Sequence, residues 1–295
     1  MEQINAKRFI GKAIENLNRL LQRNERMDIK RIMTAVVGLP LVALVLILGN
    51  TYVMDVVLMG IALLCMSEYF RVISKVAHPI KWVGYLSTVI VAIVSIMTTQ
   101  MIQNIVLFGI PVIILILFMK VIITEMDTTF KDVAYTFLGI IYITFFIMFL
   151  SLIRGTEHGK IMLGFAIIVA WATDIFAYLI GKHFGKHKFS KISPKKSVEG
   201  CVAGIIGAII CGIIYIHISN TFWGLSMEMS YILIAIICGV LSIISQIGDF
   251  VASSIKRFAD TKDYGDLLPG HGGMLDRIDS LIFIAPFVYM FTFFI

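Results

Sequence analysis

With 295 residues, 59% of them apolar and 15% charged, and a mean hydropathy of +0.92, the chain is too apolar for a soluble domain, where about 45–50% is usual. The composition predicts an all-α, polytopic integral membrane protein. A net charge of +6 does not indicate nucleic acid, because the cations flank apolar runs without the interleaved aromatics that single-strand binders stack on bases. Anionic lipid and cytoplasmic phosphate compounds are the expected partners.

Residues 1–31 form a basic segment without the short apolar core and small-residue cleavage site of a secretory signal, so they are expected to belong to the mature chain. Ile10, Ile14, Leu17 and Leu21 share one helical face, which fits either an amphipathic helix on the membrane surface or a basic tail that sets topology. A helix crosses a bilayer in roughly 20 residues. Apolar runs near 32–49, 52–67, 82–99, 104–123, 133–153, 161–181, 198–218, 231–255 and 279–295 therefore predict nine transmembrane helices, the first two joined tightly at Gly49-Asn50-Thr51. Residues 32–153 group as N-terminal transmembrane helices. Residues 154–295 group as a C-terminal catalytic transmembrane region with cytoplasmic loops 182–197 and 256–279. With these spans, all of the 25 Lys and Arg except Arg154 and Lys160 fall on one side, which predicts a cytoplasmic N-terminus and an outside C-terminus. Cys65, Cys201, Cys211 and Cys238 lie in apolar runs without metal-ligand spacing and read as small buried hydrophobes.

Ionisable residues inside spans are costly and point to function. The sixth span carries Asp174 and Tyr178 one turn apart in its cytoplasmic half. The loop after it, with Lys195 and Lys196, offers glycine flexibility and compact cations suited to phosphate, although lysine-rich cytoplasmic loops also serve topology alone. Ser197 is placed to cap the seventh helix, with Glu199 in its first turn. In the eighth span Ser242, Ser245, Gln246, Asp249, Ser253 and Lys256 draw one polar stripe, and Asp249 lies ~10 Å from the cytoplasmic end. That stripe predicts a lined cavity; the plainer alternative pairs Asp249 with a neighbouring Lys or Arg. Between Ser253 and Asp279 the chain gathers Lys256, Arg257, Lys262, His271, Gly272, Gly273, Asp276, Arg277 and Asp279. Asp276 and Asp279 share a face if the ninth helix begins there, and Asp249 meets them if the eighth and ninth helices pack side by side. Carboxylate oxygens are what Mg²⁺ prefers, usually one or two of them plus substrate phosphates. Asp279 also fits a helix cap. The His271-Gly272-Gly273 turn suits backbone N–H donation to a phosphate, and His271, with no second His or Cys at ligand spacing, is not a metal ligand.

The run Ser253-x-Ile255-Lys256-Arg257-x₄-Lys262-Asp263-x-Gly265-x₂-Leu268-Pro269-x-His271-Gly272-Gly273-Met274-x-Asp276-Arg277-Ile278-Asp279 resembles the signature of the phosphatidate cytidylyltransferase, or CDP-diacylglycerol synthase, family. Asp174 to Lys188, Ser193 to Gly200 and Ser245 to Asp249 resemble it too, so that most of residues 170–280 is covered. Many relatives carry glutamate where this chain has Ala252 and threonine where it has Ser197. The resemblance implies a nucleotidyltransferase of phospholipid biosynthesis in the cell membrane, joining CTP and phosphatidic acid on the cytoplasmic side. It implies Asp249, Asp276, Lys256, Arg257 and Arg277 as catalytic residues, and Asp174, Lys195, Lys196, Lys262, His271, Gly272 and Gly273 as substrate-binding. It also implies Mg²⁺ at Asp249, Asp276 and Asp279, accompanied by K⁺, and a homodimer. A CTP-dependent lipid kinase of the polyprenol or phytol type is the nearest alternative, and an ion-coupled transporter a more distant one.

Overall fold

Asn50 opens the first described helix by accepting a hydrogen bond from the Val53 N–H at 2.9 Å. In the computed structural model, residues 49–97, 108–190, 192–223, 230–267 and 272–294 are described, together with Val45. Their helices are α1 (Thr51–Ile73), α2 (Lys81–Met97), α3 (Ile110–Ile123), α4 (Phe130–Arg154), α5 (Gly159–Phe184), α6 (Val198–Phe222), α7 (Tyr231–Phe258) and α8 (Leu275–Phe291). Within α4, Ile140–Phe145 form a π-helical turn. Polar caps start several of them: Thr129 with Asp132 in a capping box at α4, Ser197 at α6 and Ser230 at α7.

No strand occurs among the described residues, and α1, α4, α5, α6 and α7 are each long and apolar enough to cross a membrane. The chain is thus an all-α polytopic membrane protein. The helices overlap the second to ninth predicted spans, with two instructive differences. α1 continues past 67 to Ile73, carrying Glu68 and Arg71 on helix, and α8 begins at Leu275 instead of 279. Hydropathy marks only the apolar part of a helix, whereas the backbone continues wherever its polar residues find partners. The predicted span 32–49 lies outside the described residues except Val45 and Gly49, as do the basic segment 1–31 and His271.

α8 packs among α7, α4 and α5. Its inner face buries Leu275, Ile282, Ala285 and Val288 completely, and large buried side chains such as Tyr69, Phe165 and Met66 complete the interior. The α5–α6 seam is a run of small residues at which backbones touch. A Cβ on Gly200 would lie 2.6 Å from the Ala177 carbonyl oxygen, and one on Gly204 2.9 Å from that of Thr173, so this small-residue packing lies within one chain. The outer α6 ridge of Val202, Ile206, Ile210 and Ile214 is exposed, as befits a lipid-facing surface.

Candidate active site

α7 and α8 approach closely at Gly248, where a Cβ would sit 2.8 Å from the Asp279 carbonyl oxygen. The missing side chain lets the backbones meet one residue before Asp249. From the other side, Thr173 on α5 donates to Ser242 on α7 at 2.9 Å, and Gln246 donates to the Cys201 carbonyl of α6 at 3.1 Å. Ser242 and Gln246 of the predicted polar stripe are therefore used in helix-to-helix bonding, whereas the buried Ser245 hydroxyl between them has no hydrogen-bond partner among the described residues. Asp174, next to Thr173, lies in electrostatic range of Asp249, Lys196 and Arg277. Asp279, 7% exposed, is in range of Asp249, Lys256 and Asp174.

Two ammonium groups answer these carboxylates. Lys196, from the loop before α6, pairs with Asp249 Oδ2 and stands 4.2 Å from the ring centre of Phe250, whose ring stacks on Phe189 at 4.9 Å. The paired arrangement anticipated as the plainer alternative for Asp249 is present, but the pair is accessible, its side chains being 28% (Asp249) and 23% (Lys196) exposed. Lys256 Nζ donates to Asp276 Oδ1 at 2.6 Å, a pair that is more enclosed. Asp276 Oδ2 accepts from the Tyr264 N–H at 2.8 Å and the Gly273 N–H at 3.0 Å. Asp276 thus ties the loop after α7 to the first turn of α8. The Gly273 N–H, expected to face phosphate, is directed into this loop instead. Tyr264 lies beneath Lys256 and donates its hydroxyl to the Ala252 carbonyl at 3.3 Å. Burial, and after it the negative field of Asp279 and Asp276, pushes that hydroxyl well up from its usual range, so it stays protonated.

Glu68, which the sequence reading did not single out, is the hidden support of this loop. It is 2% exposed, and its two oxygens accept from the Met274 and Leu275 N–H groups, each at 2.9 Å. An anion at the N-terminus of α8 satisfies donors that the helix itself cannot and favours the positive end of its dipole. The glycines follow from it: a Cβ on Gly273 would stand 2.5 Å from Glu68 Oε2, and Gly272 turns the chain at a φ of 85°. Its signal in the sequence was an acid at the edge of an apolar run. The buried hydroxyl of Tyr142, on α4, has no hydrogen-bond partner among the described residues, and its ring packs 5.6 Å from that of Phe283.

The remaining expected residues lie around this centre, Arg277 within electrostatic range of Asp174. Lys195, Lys262 and Arg277 are exposed, while Arg257 closes the end of α7 by donating to the Thr261 carbonyl at 3.4 Å. The lysine loop is braced separately: His187 meets Glu199 at 2.6 Å, and Ser197 accepts from the Gly200 N–H at 3.1 Å as its capping position predicts.

A profile of the cytidylyltransferase family matches residues 29–295. The chain belongs to this family. A phosphatidate cytidylyltransferase of Staphylococcus haemolyticus is 30% identical over 263 residues, 87% of this chain and 95% of the relative. One of Bacillus subtilis is 37% identical over 178 residues, 60% of this chain but just under two thirds, 64%, of the relative. One of Synechocystis is 42% identical over 132 residues, 44% of this chain and 42% of the relative.

For a cytidylyltransferase, the chemistry of these donors is informative. Among the described residues no group of three or more His, Cys, Asp or Glu side chains encloses a metal by itself. Asp249 and Asp279, in electrostatic range of each other, are the carboxylates that could give Mg²⁺ partial protein coordination with sites left for water and phosphate, once Lys196 releases Asp249; one Asp279 oxygen already accepts the Ser280 N–H at 2.8 Å. Both Asp276 oxygens are already engaged by protein donors, so a metal there would compete with Lys256.

Proposed function

We propose that this chain is a CTP:phosphatidate cytidylyltransferase (EC 2.7.7.41), a nucleotidyltransferase that makes CDP-diacylglycerol and pyrophosphate for phospholipid biosynthesis. The observation that carries the reading is the meeting of the Lys196–Asp249 and Lys256–Asp276 pairs with Asp174 and Asp279 where α5, α7 and α8 converge. An oxygen of the phosphatidate phosphomonoester attacks the α-phosphorus of CTP, the bond to the bridging oxygen breaks, and pyrophosphate departs. Both reactants are anions, so catalysis consists mainly of neutralisation and in-line positioning. Lys196 and Lys256, with Lys195, Lys262, Arg257 and Arg277 around them, hold the triphosphate and the lipid phosphate. Asp174 positions the nucleotide. The lipid phosphate is ionised at neutral pH, so no general base is required. Asp249 and Asp279, with Asp276 beside them, would hold Mg²⁺ with K⁺ as companion, and that metal would supply Lewis acidity at the α-phosphate and offset the charge of the leaving pyrophosphate.

The charge distribution supports nine spans with the N-terminus and the site on the cytoplasmic side of the cell membrane and the C-terminus outside. Acyl chains then enter laterally while CTP arrives from water. A homodimer is part of the same reading. Parallel incubations of purified protein with phosphatidate and CTP labelled at either the α- or the γ-phosphorus test the reaction. Label in lipid from α-labelled CTP only, with matching pyrophosphate, is expected. Label from γ-labelled CTP only would establish a lipid kinase instead.

A further inference from the structure

Asp55, a buried carboxylate with no part in the site above, lies one turn into α1 and is 3% exposed. Its Oδ1 accepts from the Ser151 hydroxyl near the end of α4, while its Oδ2, equally inaccessible, has no hydrogen-bond partner among the described residues. Beside it is a cavity of about 20 Å³ lined by Asp55, Thr88, Ser95, Thr144, Ser151 and apolar side chains of α1, α2 and α4. That exceeds the roughly 10–15 Å³ one water-sized occupant requires. The position is about 20 Å along α1 from Glu68, far from the lysine–carboxylate cluster.

The hydroxyl protons of the cavity wall are all accounted for. Ser151 donates to Asp55, and Ser95 donates to the Val91 carbonyl at 2.8 Å. Thr88 donates to the Gly84 carbonyl at 2.9 Å, so in its 2.7 Å contact with Thr144 it accepts and Thr144 donates. With Asp55 ionised, what the wall has left to offer is lone pairs, those of four hydroxyl oxygens and one orphaned carboxylate oxygen. A wall of acceptors alone is complementary to a cation. Thr144 also belongs to the π-helical turn Ile140–Phe145, and such turns, rare in themselves, concentrate at functional sites.

We infer that this cavity binds one dehydrated monovalent cation of Na⁺ size, held by Asp55 with hydroxyl oxygens of Ser151, Thr144, Thr88 and Ser95. The charge state follows from the surroundings. One carboxylate balances one positive charge, and a divalent ion would leave an excess charge in an apolar interior, where it is expensive. Arg154 is in electrostatic range of Asp55, with its Nη2 donating to the Gly49 carbonyl at 3.1 Å, and its field opposes any bound cation, a divalent one twice as strongly as a monovalent one. The ion ties α1, α2 and α4 together and is independent of the chemistry at the other site.

The test is the melting temperature of the full-length chain in detergent as NaCl replaces choline chloride at constant ionic strength. Na⁺ is expected to raise Tm saturably by about 3–6 °C in the wild type. Asp249→Ala should respond in the same way, whereas Asp55→Asn and Thr144→Val should lose the response. Should Asp55→Asn fail to fold, Thr144→Val decides, because it keeps the shape and removes one oxygen. A wild type indifferent to Na⁺ overturns the inference, since the cavity then holds water beside a protonated carboxyl. A Thr144→Val protein that responds like the wild type, or an Asp249→Ala protein that does not respond, overturns it equally.

Discussion

Four carboxylates, two in each half of the molecule, keep different company. In α1–α4, Glu68 is bound by the backbone N–H groups of Met274 and Leu275, and Asp132 by those of His78 and Thr129. In α5–α8, Asp249 is held by the ammonium of Lys196 and Asp276 in part by that of Lys256. The difference is one of exchangeability. Removing a carboxylate from backbone amides strands buried donors at about 1–3 kcal/mol each, so those acids are permanent braces. An ammonium on a flexible stem can be traded for another cation and can itself turn to a phosphate. Asp276 combines both roles, with one oxygen on Lys256 and the other on two amides.

Substitutions that separate the two kinds of carboxylate sharpen the comparison. Asp249→Ala and Asp276→Ala should have the largest effects, each lowering cytidylyl transfer by about 10³-fold, the scale of losing a principal electrostatic element. They should differ in hydrogen exchange, because only Asp276→Ala releases the Tyr264 and Gly273 amides. Near wild-type turnover across Mg²⁺ concentrations would remove Asp249 from the metal site or, in the other variant, Asp276 from the catalytic centre. Glu68→Gln should reduce kcat/KM for CTP by about 10-fold, since one buried donor loses its acceptor at about 1–3 kcal/mol. The same variant should raise exchange at Met274 and Leu275. Unchanged exchange there would break the distinction between brace and reagent.

Smaller effects should come from the periphery. Lys195→Ala is expected to raise the apparent KM for CTP about 3–10-fold with kcat nearly intact, the pattern of uniform binding; an unchanged KM would take Lys195 out of the nucleotide site. Tyr264→Phe, which deletes the 3.3 Å bond to Ala252, should lower stability by about 1 kcal/mol, read as a slight fall in Tm without loss of transfer.

Asp174, Asp249 and Lys196 were legible in the sequence because an ionisable group in or beside an apolar run is conspicuous, and helical spacing alone put Asp249 on a stripe with Lys256. The helices were legible for the same reason, apart from the polar ends of α1 and the early start of α8. Glu68 was not legible, because its partners lie 206 and 207 positions away and only the packing of α1 against the loop before α8 joins them. Nor was the π-helical turn of α4, which no local propensity announces and which aligns Thr144 with Thr88. The glycines before α8 were noticed as phosphate ligands, while their visible duty is to make room for a carboxylate.

The most direct measurement is transfer of label from α-labelled CTP into phosphatidate by purified wild type and Asp249→Ala across a Mg²⁺ titration, with EDTA as the zero point. Exchangeable carboxylates predict lipid label that rises with Mg²⁺ in the wild type, vanishes in EDTA and stays near background in Asp249→Ala at every concentration. Equal Mg²⁺-dependent labelling by both proteins would show that the reacting phosphates are handled somewhere other than the meeting of α5, α7 and α8.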